Sequence, residues 1–191
     1  MDDRLKLLKG FISQKEGEQL FEMASNVPMG LDIVEIGSYM GQSTCYLGAG
    51  SKAGCRNLVT AVDLWEEGSD IRYCIPMVRH TFDEQVEWMG LQNLIRPICG
   101  HSAHVAQSWD SPIGLLFIDG CHDYEAVKMD FEAWSIHVVV NGLIVFHDYK
   151  NPLYPLIVGV EQFADELVNS SDQYQFKSLT DSLYAVRKAR R

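Results

Sequence analysis

The chain has 191 residues, 47% hydrophobic and 22% charged, and its 26 acidic and 16 basic side chains give a formal net charge of -10. A chain of this size buries roughly 70% of the surface that its unfolded form exposes, so it needs neither disulfides nor a structural metal, which excludes the stapled mini-protein folds. So acidic a protein repels phosphate backbones, and we expect no nucleic-acid partner.

The cysteines and the apolar stretches indicate the compartment. Five cysteines, with no CxxC pair, lie at long intervals and are typical of reduced thiols: Cys45, Cys55, Cys74, Cys99 and Cys121. The first ten residues lack the apolar run of a signal peptide, and no apolar stretch reaches the roughly 18 residues of a membrane span. We therefore expect a cytoplasmic protein with no membrane partner.

Apolar runs alternate with amphipathic segments along the chain. In chain order the pattern predicts a helix over 14–26, a strand over 31–36, a helix from about 41, a strand over 58–62, a helix over 75–89, a strand over 94–99, a short helix over 104–109, a strand over 113–118, a helix over 124–138, a strand over 143–146, a helix over 156–168 and a hairpin over 174–186. Near-continuous apolar strands between helices indicate an α/β fold, a doubly wound, mainly parallel sheet with helices on both faces. We expect one domain over 1–191, with a helical lead-in at 1–30 and a core at 31–187.

Ligands of an open parallel sheet bind beyond the carboxyl ends of its strands. The candidate residues at these ends are Glu35, Gly37, Ser38, Gly41 and Ser43 at the first strand, Asp63 and Leu64 at the second, His101 and Ser102 at the third, Asp119 and His122 at the fourth, and His147 and Asp148 at the fifth. Gly37 and Gly41 allow a sharp turn and a close backbone approach to a ligand. Asp63 could accept hydrogen bonds from ribose hydroxyls or cap a helix, and sequence alone leaves both open. The spacing Gly-x-x-x-Gly does not match the Gly-x-Gly-x-x-Gly fingerprint of nicotinamide enzymes.

Together these features resemble the class I methyltransferases that use S-adenosylmethionine, over about residues 30–187. Residues 34–43, VEIGSYMGQS, are similar to that superfamily's first motif, and the hairpin is similar to its antiparallel last strand. The resemblance implies a Rossmann-like, seven-stranded sheet. It also implies a cofactor site formed by Glu35, Gly37, Ser38, Gly41, Ser43, Asp63, Leu64, His101, Ser102 and Asp119, in which Asp63 holds the ribose and His101 and Ser102 border adenine.

Residues 117–125, FIDGCHDYE, and 146–149, FHDY, are similar to a narrower group, the macrocin and novobiocin type O-methyltransferases, with catechol-type enzymes more distant. Several members bind Mg²⁺ through an Asp after the fourth strand and an acidic pair after the fifth, which correspond to Asp119 and to His147 and Asp148. The chain departs from the pattern because His147 replaces the first acid, and Cys121 stands where some members have an Asp proposed as general base. Imidazole in place of carboxylate weakens the case for Mg²⁺ and favours Mn²⁺, Fe²⁺ or no metal.

The two histidines at these ends have competing interpretations. His122 and His147 could act as catalytic acid-base groups, since imidazole titrates near neutral pH, or they could stiffen the loops by hydrogen bonds. Among the tryptophans, Trp65 is expected to stack over adenine or cover the site, whereas Trp88, Trp109 and Trp134 are expected in the core.

The leading hypothesis is a small-molecule O-methyltransferase that binds S-adenosyl-L-methionine, with a divalent metal, Mg²⁺ or Mn²⁺, as an open question. The alternatives are a nicotinamide-dependent oxidoreductase and a catalytically silent cofactor-binding module that regulates a partner. The lead-in could cover the site or pair with a second subunit in a homo-oligomer. The acceptor cannot be identified from the sequence.

Overall fold

The structure is a computed structural model that describes residues 1–65 and 75–190, without the side chains of residues 75 and 76. Cys45, Cys55, Cys99 and Cys121 are free thiols, and Cys74 lies outside the described residues. None of the helices in the described ranges combines the length and apolar character that crossing a bilayer demands.

Within the described residues, a 3-10 turn at Asp3–Leu7 is followed by six α-helices and seven strands, which alternate along the chain except that the last two strands follow each other directly. The strands are β1 (Asp32–Ile36), β2 (Val59–Asp63), β3 (Ile95–Cys99), β4 (Ile113–Ile118), β5 (Val138–Phe146), β6 (Tyr174–Thr180) and β7 (Leu183–Lys188). The helices are α1 (Gln14–Ser25), α2 (Gln42–Ala53), α3 (Ile75–Trp88), α4 (Ser102–Gln107), α5 (Tyr124–Trp134) and α6 (Gly159–Ser170).

The strands form one sheet in the order β3-β2-β1-β4-β5-β7-β6. Strands β1 to β5 pair in parallel, and β7 runs antiparallel to both β5 and β6. Alternate residues of the strands enter two separate hydrophobic clusters, one beneath α1, α2 and α3 and the other beneath α4, α5 and α6. The predicted Rossmann-like, seven-stranded sheet with an antiparallel last strand is confirmed.

Several predicted boundaries differ from the structure, and the largest differences concern α5, β5 and α6. Helix α5 ends at Trp134, and β5 begins at Val138 rather than at residue 143. The pairing of β5 with β4 is irregular there, and Asn141 adopts a φ of +70°, so the apolar run 138–140 belongs to a bulged strand and not to the helix. Helix α6 begins at Gly159 instead of residue 156, where its backbone packs so closely on residues 122–124 that a Cβ would lie 2.4 Å from the carbonyl oxygen of His122.

The lead-in packs on the core through α1. Ser13 and Glu16 form a capping box that starts this helix. Helix α1 lies against α2 at close range, since a Cβ on Gly17 would come 2.5 Å from the ring of Tyr46. Ahead of α1, the side chain of Gln42 bonds the backbone N–H and carbonyl of Ile12, which fixes residues 10–12 at the edge of the sheet where the strands end.

Candidate active site

A cavity of about 820 Å³ opens at the carboxyl ends of the parallel strands. The predicted residues that line it are Gly37, Ser38, Ser43, Asp63, Leu64, His101, Ser102, Asp119, His122, His147 and Asp148. Glu35 and Gly41 are not among its lining residues. The cavity joins the ends of β1, β2 and β3 to those of β4 and β5, as expected where parallel strands finish at a common edge.

Tight backbone geometry shapes the turn after β1. Gly37 has a φ of +81°, and a Cβ on it would lie 2.2 Å from the backbone oxygen of Asp119. Gly41 has a φ of +86° and precedes the first residue of α2. A Cβ on Gly41 would meet the ring of Phe82 at 2.7 Å. Only glycine fits both positions. The sharp turn that they allow places the N-terminus of α2 at this edge of the sheet.

Asp63 braces that turn. Its Oδ2 accepts hydrogen bonds of 2.8 Å from the backbone N–H groups of Ser38 and Tyr39. Burial raises the pKa of Asp63, although these backbone hydrogen bonds oppose the shift. Asp63 also lines the cavity, so the same residue supports the turn and forms part of the cavity wall.

Glu35 lies behind the turn rather than in the cavity. It is completely buried and accepts a hydrogen bond from the hydroxyl of Thr44 in α2, so it braces the helix start. Burial raises the pKa of Glu35 to about 7. Its role is thus support of the turn from beneath.

At the end of β3, His101 and Ser102 line the cavity. The indole N–H of Trp134 donates to the hydroxyl of Ser102 at 2.8 Å, and the buried Asp130 lies in the cavity wall beside it. Asp130 was not selected from the sequence because it lies within a helix and not at a strand end. Burial raises its pKa, which the Ser102 hydroxyl partly offsets.

The ends of β4 and β5 bring two carboxylates and two imidazoles together. The Nε2 atom of His122 lies 2.7 Å from Oδ2 of Asp148 and 3.7 Å from Oδ1 of Asp119. Hydrogen bonding to Asp119 and Asp148 raises the pKa of His122 to about 9. The backbone of Asp148 has a φ of +61°, an unusual conformation for a non-glycine residue that recurs at functional sites.

His147 is buried behind this group. Its Nδ1 lies 3.0 Å from Oδ1 of Asp119 and 3.4 Å from Oδ2 of Asp148, and its Nε2 lies 3.4 Å from Oε2 of Glu16. Burial alone would lower the pKa of His147, but the charge of Asp119 and these hydrogen bonds raise it to about 12. The pKa of Asp148 falls well below its usual range because hydrogen bonds from His122 and His147 outweigh burial.

Asp119, His122 and Asp148 are the residues whose ligand atoms could share a cation, since one such atom from each lies within 4.8 Å of the others. Asp119 and Asp148 were expected in this set. His147 was expected there too, but both of its ring nitrogens face carboxylates, and His122 takes the third position. The sequence gives no indication that His122, and not His147, would lie with Asp119 and Asp148.

Two tryptophan expectations are wrong. Trp65 does not line the cavity, because its indole N–H donates to the carbonyl of Tyr39 at 2.8 Å and its ring packs on Phe82. Trp88 is 46% exposed rather than in the core, and the guanidinium of Arg4 lies over its ring. Trp134 is buried as expected.

Residues 34–149, more than half of the chain, match the model of a family described as a methyltransferase domain, and the chain belongs to that family. The chain is 27% identical over 118 residues to the uncharacterized protein y4gI of Sinorhizobium fredii. The aligned residues cover 61% of this chain and only 13% of that protein. The chain thus spans a small fraction of the length of this curated relative.

Solved structures share the fold across nearly the whole chain. The O-methyltransferase from Bacillus cereus in complex with SAH matches with a TM-score of 0.73 and 18% identity, over 98% of this chain and 92% of that one. The O-methyltransferase TomG from Streptomyces achromogenes in complex with SAM matches with a TM-score of 0.74 and 14% identity, over 98% of this chain and 90% of that one. At these identities the likeness concerns the fold.

Proposed function

We propose that the protein is an S-adenosylmethionine-dependent O-methyltransferase that acts on a small molecule. The observation that carries this proposal is the single cavity that joins a glycine turn and Asp63 to the group of Asp119, His122 and Asp148. Membership of a methyltransferase family and the fold of O-methyltransferases crystallised with this cofactor or its product support it. The family match does not favour the two alternatives, a nicotinamide-dependent oxidoreductase and a silent cofactor-binding module. The spacing of the cysteines supports a cytoplasmic location.

The residues at the ends of β1 to β3 fit the cofactor. Within the described part of the chain, the hydroxyl of Ser38 and Nδ1 of His101 are buried polar atoms without a hydrogen-bond partner, and both residues line the cavity. Buried polar atoms are costly unless a partner satisfies them. Asp63 would accept hydrogen bonds from the ribose, while Ser38 and His101 would contribute polar contacts to the two ends of the cofactor. Leu64 would supply an apolar contact.

The ends of β4 and β5 would serve the acceptor. The bound cofactor supplies an electrophilic methyl group, and the chain must orient an acceptor hydroxyl, exclude water and receive its proton. We assign the proton to the neutral form of the His122 imidazole, because its side chain is 33% exposed against 18% for Asp119 and 8% for Asp148. Since the two carboxylates raise the pKa of His122 to about 9, this neutral form is the minor one at pH 7, and turnover should increase as the pH rises towards 9. The two carboxylates would then stabilise the imidazolium that forms.

Calorimetry with S-adenosylhomocysteine tests the proposed function. Asp63→Asn should weaken binding by about tenfold or more, since a hydrogen bond to a charged group contributes about 1.5–3 kcal/mol. The amide oxygen of the variant can still accept from the N–H groups of Ser38 and Tyr39, so the turn is retained. Asp32→Asn, at the opposite end of β1, is the matched control and should bind as wild type does.

Two results would contradict the proposal. Failure of wild type to bind the product analogue at millimolar concentration, together with binding of a nicotinamide nucleotide, would favour the oxidoreductase. Alternatively, Asp63→Asn and Asp32→Asn could bind equally well, which would remove Asp63 from the ribose site. Release of S-adenosylhomocysteine in the presence of a panel of phenols and sugars then separates an enzyme from a silent module.

A further inference from the structure

The lead-in contributes a buried carboxylate that lies outside the matched family segment of residues 34–149. Glu16 of α1 is 2% exposed. Its Oε1 accepts hydrogen bonds from the backbone N–H and the hydroxyl of Ser182, at 2.9 and 2.7 Å. Its Oε2 accepts from the backbone N–H of Ser13 at 2.8 Å. The carboxylate is therefore fixed between the start of α1 and the turn that joins β6 to β7.

Capping alone does not account for this burial. A glutamate at the third position of a helix completes a capping box from the protein surface, whereas a buried carboxylate is costly unless it is paired and hydrogen-bonded. Glu16 instead points inward, and its Oε2 lies 3.4 Å from Nε2 of His147. The contact joins elements 131 residues apart in the chain, so it is a property of the folded site.

The His147 ring is held on both of its nitrogen atoms. Glu16 lies on the Nε2 side, and Asp119 and Asp148 lie on the Nδ1 side. The ring is 4% exposed, and Phe117 packs edge-on against it with ring centroids 6.3 Å apart. A half-turn of the ring would break contacts on both sides, so the orientation is fixed only while both sides are occupied.

We propose that Glu16 is a positioning residue for the acceptor side of the site. It holds the His147 ring, and that ring holds Asp119 and Asp148 in the orientation in which they contact His122. The inference rests on the proposed function, because it assigns Glu16 a task in methyl transfer. Glu16 itself does not line the cavity. Its role resembles that of the carboxylate that orients a catalytic imidazole in hydrolase triads, where the third member acts through the second.

Glu16→Gln tests the proposal because glutamine has nearly the size of glutamate but only one acceptor oxygen instead of two. The measurement is the ring nitrogen spectrum of ¹⁵N-histidine-labelled protein, with the signals of His122 and His147 assigned by their loss in glutamine variants. We expect the His147 signals to shift in Glu16→Gln. We also expect the His122 signals to shift, although that ring touches Asp119 and Asp148 and not Glu16.

Ser182→Ala is the matched control. It removes one donor to Oε1 of Glu16 but leaves the backbone donor and the contact with His147. Its thermal stability should fall much as that of Glu16→Gln does, while the signals of both histidines stay in place. A loss of stability without a shift at His122 is what a purely structural role of Glu16 would produce.

The proposal is overturned when folded Glu16→Gln shows the wild-type His122 signals, or when Ser182→Ala shifts them equally. Glu16→Asp, which keeps the charge but shortens the side chain, applies the same criterion where Glu16→Gln does not fold. Calorimetry with S-adenosylhomocysteine on the same samples keeps the two hypotheses apart. Failure of wild type to bind refutes the proposed function, whereas the histidine spectra decide the role of Glu16 in either case.

Discussion

Replacement of Gly37 by alanine should lower the free energy of unfolding more than the same change at a glycine whose added Cβ would meet no other atom. Two terms add at this position. The backbone has a φ of +81°, and an L-residue in the left-handed region costs about 1–2 kcal/mol. The new Cβ would also lie 2.2 Å from the backbone oxygen and 2.6 Å from the backbone carbon of Asp119. Since backbone atoms cannot rotate away, β1 and β4 must separate at their ends.

Gly30→Ala carries only the first of these terms, so its difference from Gly37→Ala isolates the second. Gly30 has nearly the same φ, +84°, and no atom lies within 4 Å of the position where its Cβ would stand. Alanine also restricts the unfolded chain, which stabilises the folded protein by about 0.4–1 kcal/mol. The net effect of Gly30→Ala should therefore be a decrease of about 1 kcal/mol in the free energy of unfolding. Gly37→Ala carries a further overpacking cost of about 1–3 kcal/mol, for a total of about 2–4 kcal/mol.

Urea and thermal unfolding measure the difference. At about 2–4 °C per kcal/mol for a chain of this size, Gly30→Ala should lower Tm by about 2–4 °C and Gly37→Ala by about 5–15 °C. Separation of β1 and β4 would also move Asp119 in the cavity wall, so Gly37→Ala should weaken S-adenosylhomocysteine binding while Gly30→Ala leaves it intact. Equal stability of the two variants would refute the close approach of Gly37 to Asp119.

Two further predictions concern titration and metal. Burial raises the pKa of Glu35 in the folded protein from 4.5 to about 7, so the folded state binds a proton that the unfolded chain releases, and this contribution to stability is lost as pH rises from about 5 to 7. The difference in free energy of unfolding between wild type and Glu35→Gln should therefore decline over that range, and a constant difference would contradict it. For the metal, calorimetric titration with Mn²⁺ tests whether His122 is a ligand instead of the acid-base group: ligation predicts binding to wild type and to Asp123→Asn but at least about tenfold weaker binding to Asp148→Asn, since a carboxylate oxygen ligand is lost. Absence of binding to wild type would leave His122 as an acid-base group that works without a metal.

The sequence predicts the sheet because the parallel strands are short and mainly apolar, and polar or glycine residues lie at their carboxyl ends. Because such strands end at one edge, it also predicts that Asp63, Asp119 and Asp148 face a common cavity, as they do. The start of β5 was missed because residues 138–140 continue the apolar pattern of α5, and the bulge at Asn141 has no periodicity of its own. Trp65 was misplaced because a loop tryptophan gives no indication of which backbone carbonyl its N–H will find.

Glu16 could not be predicted as part of the site for a different reason. In the sequence Ser13 and Glu16 satisfy the pattern of a helix start, and that pattern fully explains both residue types. The contacts of Glu16 with Ser182 and His147 join segments 166 and 131 residues away. Contacts at such separation follow from the sheet order, and local patterns do not encode them.

The position of β7 between β5 and β6 also sets an order of assembly during translation. Glu16 leaves the ribosome 166 residues before Ser182, a delay of roughly ten to thirty seconds at bacterial and eukaryotic elongation rates. Throughout that interval the carboxylate lacks both donors that the hairpin later supplies, and β5, once it has been made, keeps an open edge until β7 pairs with it. The parallel half of the sheet can thus form early, whereas the support that Ser182 gives to Glu16, and through Glu16 to His147, comes only when β7 pairs with β5.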